Sequence, residues 1–211
     1  MLFGSISYLN LLPFKVFLKH YLSNNAAKMS FNYKRAVPSQ INKALKRREV
    51  NAAFISSIES KKCKCTDLGI IANKKVYSVL LLAGSNESDP ASATSNRLAK
   101  VLDLQGKVLI GDTALKYYLD GGEGIDLAEV WYEKTGLPFV FARLCYNRHD
   151  DSIKKLAKQF ARSKVKIPQY ILKSEAKKRG IATKQLTWYL DQIYYIMGYK
   201  EKRSLKLFLD S

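Results

Sequence analysis

Residues 2–22 read LFGSISYLNLLPFKVFLKHYL, a short strand pattern, a polar turn and then a helical stripe. Leu2–Ser7 predicts a β-strand. Pro13–Leu22 predicts a helix, because Phe14, Phe17, Leu18 and Tyr21 recur at the spacing of one helical face. Pro13 suits the first turn, where a missing N–H costs nothing. The same grammar continues. Ser30–Arg35 predicts a second strand, and Pro38-Ser39 opens a helix with Ile41, Ala44 and Leu45 inward. Ala52–Ile55 predicts a short buried strand running into Ser56-Ser57, and Val76–Ala83 a long, nearly continuous apolar one. A β-α-β-α-β order implies parallel strands covered by helices. Ligands of such sheets lie outside the carboxyl ends of the strands, where Asn10 and Ser56-Ser57 would stand.

A polar loop, Gly84–Pro90, then suggests a hinge into a smaller unit. Ser92-Ala93-Thr94-Ser95 precedes a helix with Leu98, Val101 and Leu102 at helical spacing, followed by a strand at Val108–Ile110 and the turn Gly111-Asp112. Asp126–Thr135 predicts a further helix, with Leu127, Val130 and Trp131 as its stripe, and Pro138–Cys145 a return strand. Gly121-Gly122-Glu123-Gly124 is a flexible connector without the context of a phosphate loop. From Asp150 the pattern is helical: Ile153, Leu156, Ala157 and Phe160 mark one helix, and Leu186, Tyr189, Leu190, Ile193 and Met197 another. The expectation is an α/β protein of two lobes, 1–82 plus 144–211 forming the larger and 83–143 the smaller, with a cleft between them.

Composition narrows the function classes. A chain of 211 residues with 47% apolar content can bury a sizeable core. Cys63, Cys65 and Cys145 are too few for a disulfide scaffold, and an odd count fits a reducing compartment. Cys63-Lys-Cys65 lacks zinc spacing, so no metal site is expected. The opening Met-Leu-Phe-Gly-Ser has no basic n-region, no segment is apolar enough to span a membrane, and a cytoplasmic location is expected. The net charge of +18 invites a nucleic-acid reading. The cations are instead spread over helix ends and polar faces, such as Lys43, Lys46, Arg47 and Arg48, with no interleaved aromatic strand. A solvated basic surface that attracts anionic metabolites is the expectation, with no nucleic-acid or membrane partner.

The chemistry-bearing residues are mostly hydroxyls. Ser92, Thr94 and Ser95 sit at a helix N-terminus, where free N–H groups and the dipole favour a carboxylate. The same residues also serve as ordinary caps. Ser56, Ser57 and the loop Tyr8-Leu9-Asn10 arrive from the ends of other apolar runs. Several neutral donors converging from separate elements suggest a cleft for a small acid. Asp112 at the Gly111 turn is either an acid/base or a helix cap.

Gly4-Ser5-Ile6-Ser7-Tyr8-Leu9-Asn10 with Pro13, Val37-Pro38-Ser39, Ile55-Ser56-Ser57-Ile58-Glu59, Ser78-Val79, Ser92-Ala93-Thr94-Ser95, Ile110-Gly111-Asp112-Thr113-Ala114-Leu115 and Thr135–Ala142 together carry a resemblance. In this order they resemble the chorismate dehydratases of the futalosine route to menaquinone, over residues 4–142. Asn51, Ser60 and Arg143-Leu144 depart from the family's usual residues, and the link from Ser95 to Ile110 is short. The resemblance implies the type 2 periplasmic-binding-protein fold and elimination of water from chorismate, giving 3-[(1-carboxyvinyl)oxy]benzoate without a cofactor. It implies substrate binding by Tyr8, Ser56, Ser57, Ser78, Ser92, Thr94, Ser95 and Gly111, with Asn10 and Asp112 as catalytic candidates. A substrate carboxylate acting as its own base is the alternative to Asp112. A non-catalytic acid-binding protein and the sister enzyme acting on cyclic dehypoxanthine futalosine share the architecture.

Overall fold

The structure, a computed structural model, describes residues 1–23 and 31–211; the expected strand start at Ser30 lies outside the described residues. The chain begins as its pattern dictates: β1 (Leu2–Ser5), α1 (Leu12–Ser23), β2 (Asn32–Arg35), α2 (Pro38–Lys46) and β3 (Ala52–Ser56). β1 pairs parallel with both β2 and β3. Ile41, Ala44 and Leu45 of α2 are buried, as the stripe requires. Gly4 lets α2 approach closely, since a Cβ there would lie 2.9 Å from Ala53 Cβ and from Ile41 Cγ2.

Beyond β3 the architecture departs from a simple parallel sheet. β4 (Lys64–Ala72) is a nine-residue strand absent from the sequence expectation. Its lysine, aspartate and glycine break the alternation, and register shifts relative to its partner interrupt the face pattern. β5 (Val79–Leu82), α3 (Ala93–Val101), β6 (Lys107–Ile110), α4 (Gly111–Leu119), β7 (Ile125–Asp126) and α5 (Leu127–Thr135) follow. β8 (Phe139–Tyr146) then returns, lying antiparallel between β3 and β4. The larger sheet has the order β2-β1-β3-β8-β4-β9 and the smaller the order β6-β5-β7.

Two expectations are corrected here. Val79–Leu82 belongs to the smaller sheet, pairing antiparallel with β6 and β7, so it does not close the larger lobe. The chain crosses between sheets at 73–78 and again at 136–138, before the loop at Gly84 and before residue 144. A continuous apolar run signals a buried strand but not which sheet receives it. After α6 (Asp150–Arg162), α7 (Gln169–Arg179) and α8 (Thr183–Leu190), the expected helix through Met197 is likewise interrupted. Ile193–Ile196 is instead β9, on the edge of β4. Its Ile-Tyr-Tyr-Ile sequence is rich in strand formers, and pairing overrides the helical spacing.

Cys65 and Cys145 stand opposite each other on β4 and β8 and are joined in a disulfide, with Cys63 the free thiol. The odd cysteine count is therefore one bond plus one thiol, so it no longer argues for a reducing compartment.

The larger core centres on Phe14, Phe54 and Phe160, packed edge to face with ring centroids 5.0 and 5.1 Å from Phe14. The smaller lobe buries Leu98, Val108, Leu127 and Trp131, and Phe208 of α9 (Tyr199–Asp210) joins them. The Trp131 indole N–H donates to buried Ser204 of α9 at 2.9 Å, so the C-terminal helix straps the lobes together. Asp126 fixes the first crossing. One carboxylate oxygen accepts the Val76 and Tyr77 N–H groups at 2.9 and 2.7 Å, while the other caps α5 through Ala128 and Glu129. Burial pushes its pKa up against those four donors. No helix among the described residues is long and apolar enough to cross a membrane.

Candidate functional site

A cavity of 70 Å³ lies between the two sheets, at the carboxyl ends of β1 and β3. Its polar lining consists of Tyr8, Asn10, Ser56, Ser78, Ser92, Ser95 and Gly111, set among Ile6, Ile70, Val79, Ile110 and Phe141. These polar residues come from both lobes, as the convergence of strand ends requires.

Ser56 and Ser78 are each held by a neighbour that occupies the acceptor side of the hydroxyl. The Asn42 amide of α2 donates to Ser56 Oγ at 3.0 Å, and its oxygen accepts the Ser56 N–H at 3.1 Å. Ser56 thereby keeps its hydroxyl hydrogen for the cleft. The phenol of Tyr189 on α8 lies 2.9 Å from Ser78 Oγ. Tyr189 is buried and burial pushes its pKa up, so it stays a neutral donor. Ser78 then accepts from the phenol and can donate into the cavity. At the α3 N-terminus, Ser92 Oγ accepts the Ser95 N–H at 3.1 Å and lies 2.8 Å from Ser95 Oγ. One hydrogen bond between two hydroxyls leaves one O–H for a ligand. The N–H groups of Ala93 and Thr94 have no intrahelical partner by position. Ser92 is thus both the helix cap and part of the cavity wall.

Asn10 sits in the turn after β1. Tyr195 of β9 donates to its main-chain carbonyl at 2.7 Å. Its side-chain oxygen is buried with no hydrogen-bond partner, a cost that a ligand or a water would relieve. Gly111 has φ +68°, and a Cβ there would lie 2.8 Å from the Tyr8 ring. The position therefore needs glycine twice over, for its backbone and for the ring beside it. Burial, with Asp89 and Asp112 nearby, pushes the Tyr8 phenol up to about 12, so it too is a neutral donor.

Three residues expected at the site face elsewhere. Ser57 is fully buried and donates to the Val140 carbonyl of β8 at 2.5 Å, because it lies one residue beyond Ser56 and turns to the other side. Thr94 accepts the Ile58 N–H at 3.4 Å, linking α3 to the 3-10 turn Ser57–Ser60. Asp112 has both carboxylate oxygens engaged: the Leu9 N–H donates to one at 2.9 Å and Arg179 Nε to the other at 2.8 Å. It is not the cap of α4 either, since the helix opens at Gly111 with Ile110 in the cap position. Arg179 also donates to the Ser7 carbonyl at 2.7 Å, so α4 of the smaller lobe is clasped to α7 and to the β1 loop. Asn42, Arg179, Tyr189 and Tyr195 carry no motif. The available signals were an asparagine between Ile41 and Ala44 on the buried face of α2 and the place of Tyr189 in an apolar stripe; for Arg179 and Tyr195 there was none.

Two α/β lobes closing on a cleft of neutral donors define a protein of the periplasmic-binding-protein fold. Solved structures agree. A protein of Archaeoglobus fulgidus superimposes with a TM-score of 0.66 at 13% identity, covering 99% of this chain and 95% of that one. The periplasmic aliphatic sulphonate binding protein SsuA of Escherichia coli gives 0.59 at 13%, covering 100% and 91%. Within that fold the chain belongs to the menaquinone biosynthesis family, whose model matches residues 1–103 and 90–211. It is 52% identical to a chorismate dehydratase of Campylobacter jejuni, over 99% of this chain and 96% of that protein. It is 25% identical to a chorismate dehydratase of Thermus thermophilus, over 99% of this chain and 93% of that one.

Proposed function

We propose that this protein is a chorismate dehydratase, eliminating water from chorismate to give 3-[(1-carboxyvinyl)oxy]benzoate. The observation that carries the reading is the 52% identity to the Campylobacter jejuni enzyme along essentially the whole of both chains. The cleft chemistry supports it. Chorismate has a ring carboxylate and an enolpyruvyl carboxylate, and the cavity offers hydroxyl donors from both lobes. Ser92 and Ser95, with the N-terminus of α3, suit one carboxylate. Ser56 and Ser78 suit the other end of the substrate.

In the elimination the C3–H bond and the C4–O bond break, a ring C=C forms, and proton and hydroxide leave as water. Negative charge develops toward the ring carboxylate through the C1–C2 double bond as C3 loses its proton. Donors aimed there stabilise the transition state more than the ground state. Asn10 can donate its amide N–H to the departing hydroxyl. Asp112 is tied to Leu9 and Arg179 and is absent from the cavity wall, so we assign the proton abstraction to a carboxylate of the substrate itself. The cytoplasmic assignment belongs to this reading and is supported by the biosynthetic family.

The test is incubation of the purified protein with chorismate, followed by mass spectrometry. The expected result is loss of one water per chorismate and accumulation of the aromatic product. Chorismate bound but returned unchanged would make the protein a receptor and overturn the reading.

A further inference from the structure

A second pocket, of 540 Å³, opens on the larger lobe beside the cleft. It shares the β1 strand end with the cleft but uses the opposite face: Ser5 and Ser7 line it, whereas Ile6 and Tyr8 line the cleft. Its remaining walls come from α1, β2 and the end of α7. They carry Lys15, Lys19, Arg35, Lys178 and Arg179 against a single lining carboxylate, Glu175. Glu175 is already committed, pairing with Lys178 at 2.6 Å and with Arg179. Asp112, behind the wall, is taken by Arg179. The side chains of Lys15, Lys19 and Arg35 have no hydrogen bond or ion pair among the described residues. Surface lysines need no partner because water solvates them. Lys15 is half-buried, and an ammonium withdrawn from water without a direct ion pair is costly.

We propose that this pocket binds a small organic polyanion, a polycarboxylate or a phosphate ester, held by Lys15, Arg35 and Lys19 with Tyr33 at its open side. Concave walls of one sign concentrate potential and draw in counter-charge. The Arg35 guanidinium is a planar fork suited to carboxylate or phosphate oxygens, and the half-buried Lys15 adds a point charge. The volume exceeds what a bare inorganic ion fills, which leaves room for a carbon skeleton against the Tyr33 ring. The electrostatics of Lys15 agree with an anion site. Burial and the neighbouring Arg179 and Arg35 outweigh Asp112 and Glu175 and push its pKa down to about 8. A bound polyanion would restore full protonation. Because Arg179 forms both the pocket wall and the clasp to Asp112, occupancy would be felt at the lobe junction.

The experiment is calorimetric titration of the full chain with citrate and, separately, with pyrophosphate, at constant ionic strength set with chloride. One saturable site per chain is expected for at least one probe, and which probe binds separates carboxylate from phosphate chemistry. Lys15→Met combined with Arg35→Gln should weaken that site at least tenfold. Lys154→Met with Lys155→Met, on the exposed face of α6, should leave it unchanged, as should Ser95→Ala in the cleft. Equal weakening by the α6 variant would mean diffuse surface charge, and weakening by Ser95→Ala would place the probe in the cleft. Either result, or no saturable binding of either probe, overturns the proposal. A second measurement needs no variant. With a trace amine-acylating reagent at pH 8, Lys15 should label ahead of exposed lysines, and the bound probe should protect it selectively. Lys15 labelling that ignores a saturating probe would also overturn the site.

Discussion

Ser56 and Ser57 carry the same hydroxyl one residue apart, and the backbone sends them to opposite sides. Ser56 faces the cavity with its acceptor side filled by Asn42, whereas Ser57 donates to the Val140 carbonyl inside the sheet. Ser56→Ala should therefore raise KM for chorismate about 10–100-fold, the loss of one charge-assisted hydrogen bond of about 1.5–3 kcal/mol. Ser57→Ala should leave KM near wild type. It should instead lower the melting temperature by about 2–4 °C for each kcal/mol lost, through the missing hydrogen bond to the Val140 carbonyl. Steady-state kinetics and thermal melts on the two variants check this, and a KM effect from Ser57→Ala would return that residue to the site. Both serines were legible as candidates from the strand end they share. Which one enters the cleft depends on how the chain turns at the end of β3, which no residue type announces.

At the scale of elements, α4 and α7 meet through Asp112 and Arg179, whose side chains are 20% and 17% exposed. These helices belong to different lobes, and the pair holds them with the Leu9 N–H between. A clasp and a catalytic base make different demands. If the pair is a clasp, Asp112→Asn and Arg179→Met should each reduce kcat/KM by a similar, modest factor of about tenfold. Removal of either partner loosens the same junction, and partial exposure limits what the ion pair contributes. A general base would instead lose about 10²–10⁴-fold on Asp112→Asn alone. Kinetics on both variants decide: a large loss confined to Asp112→Asn would reinstate the base. Asp112 was visible in sequence as a carboxylate at a strand end. Its partner lies 67 residues away on a helix without a motif, so the pairing was not.

For the whole molecule, the cavity volume sets a condition. At 70 Å³ the cavity is tight for a ring bearing two carboxylates. We expect the lobes to part when substrate enters, by the hinge motion that binding proteins use to close around a ligand. Two amides report that motion, because each bonds across the lobes: Leu9 to Asp112, and Ile58 to Thr94. Without ligand they should exchange hydrogen faster than Phe54 in the centre of β3, and a bound substrate analogue should slow them. Residue-resolved exchange by NMR measures this. Leu9 and Ile58 protected as strongly as Phe54 in the free protein, and unchanged by ligand, would mean that the lobes do not open.

The sequence by itself determined the first β-α-β-α-β run, the strand ends that carry hydroxyls, and a hydroxyl cap among Ser92, Thr94 and Ser95 at the start of α3. Those features are local, written in periodicity, in proline and in capping chemistry, so a window of a few residues contains them. Tertiary structure decided the rest. It assigned Val79–Leu82 to the smaller sheet, made a strand of Lys64–Ala72 across its bulges, and turned Ile193–Ile196 from helix into an edge strand. It also chose Ser56 over Ser57, tied Asp112 to Arg179, and brought Tyr189 and Tyr195 behind Ser78 and Asn10. In each case the deciding partner is distant in the chain. A strand's sheet and a hydroxyl's orientation are settled by which distant group satisfies them, and no spacing within the segment encodes that choice.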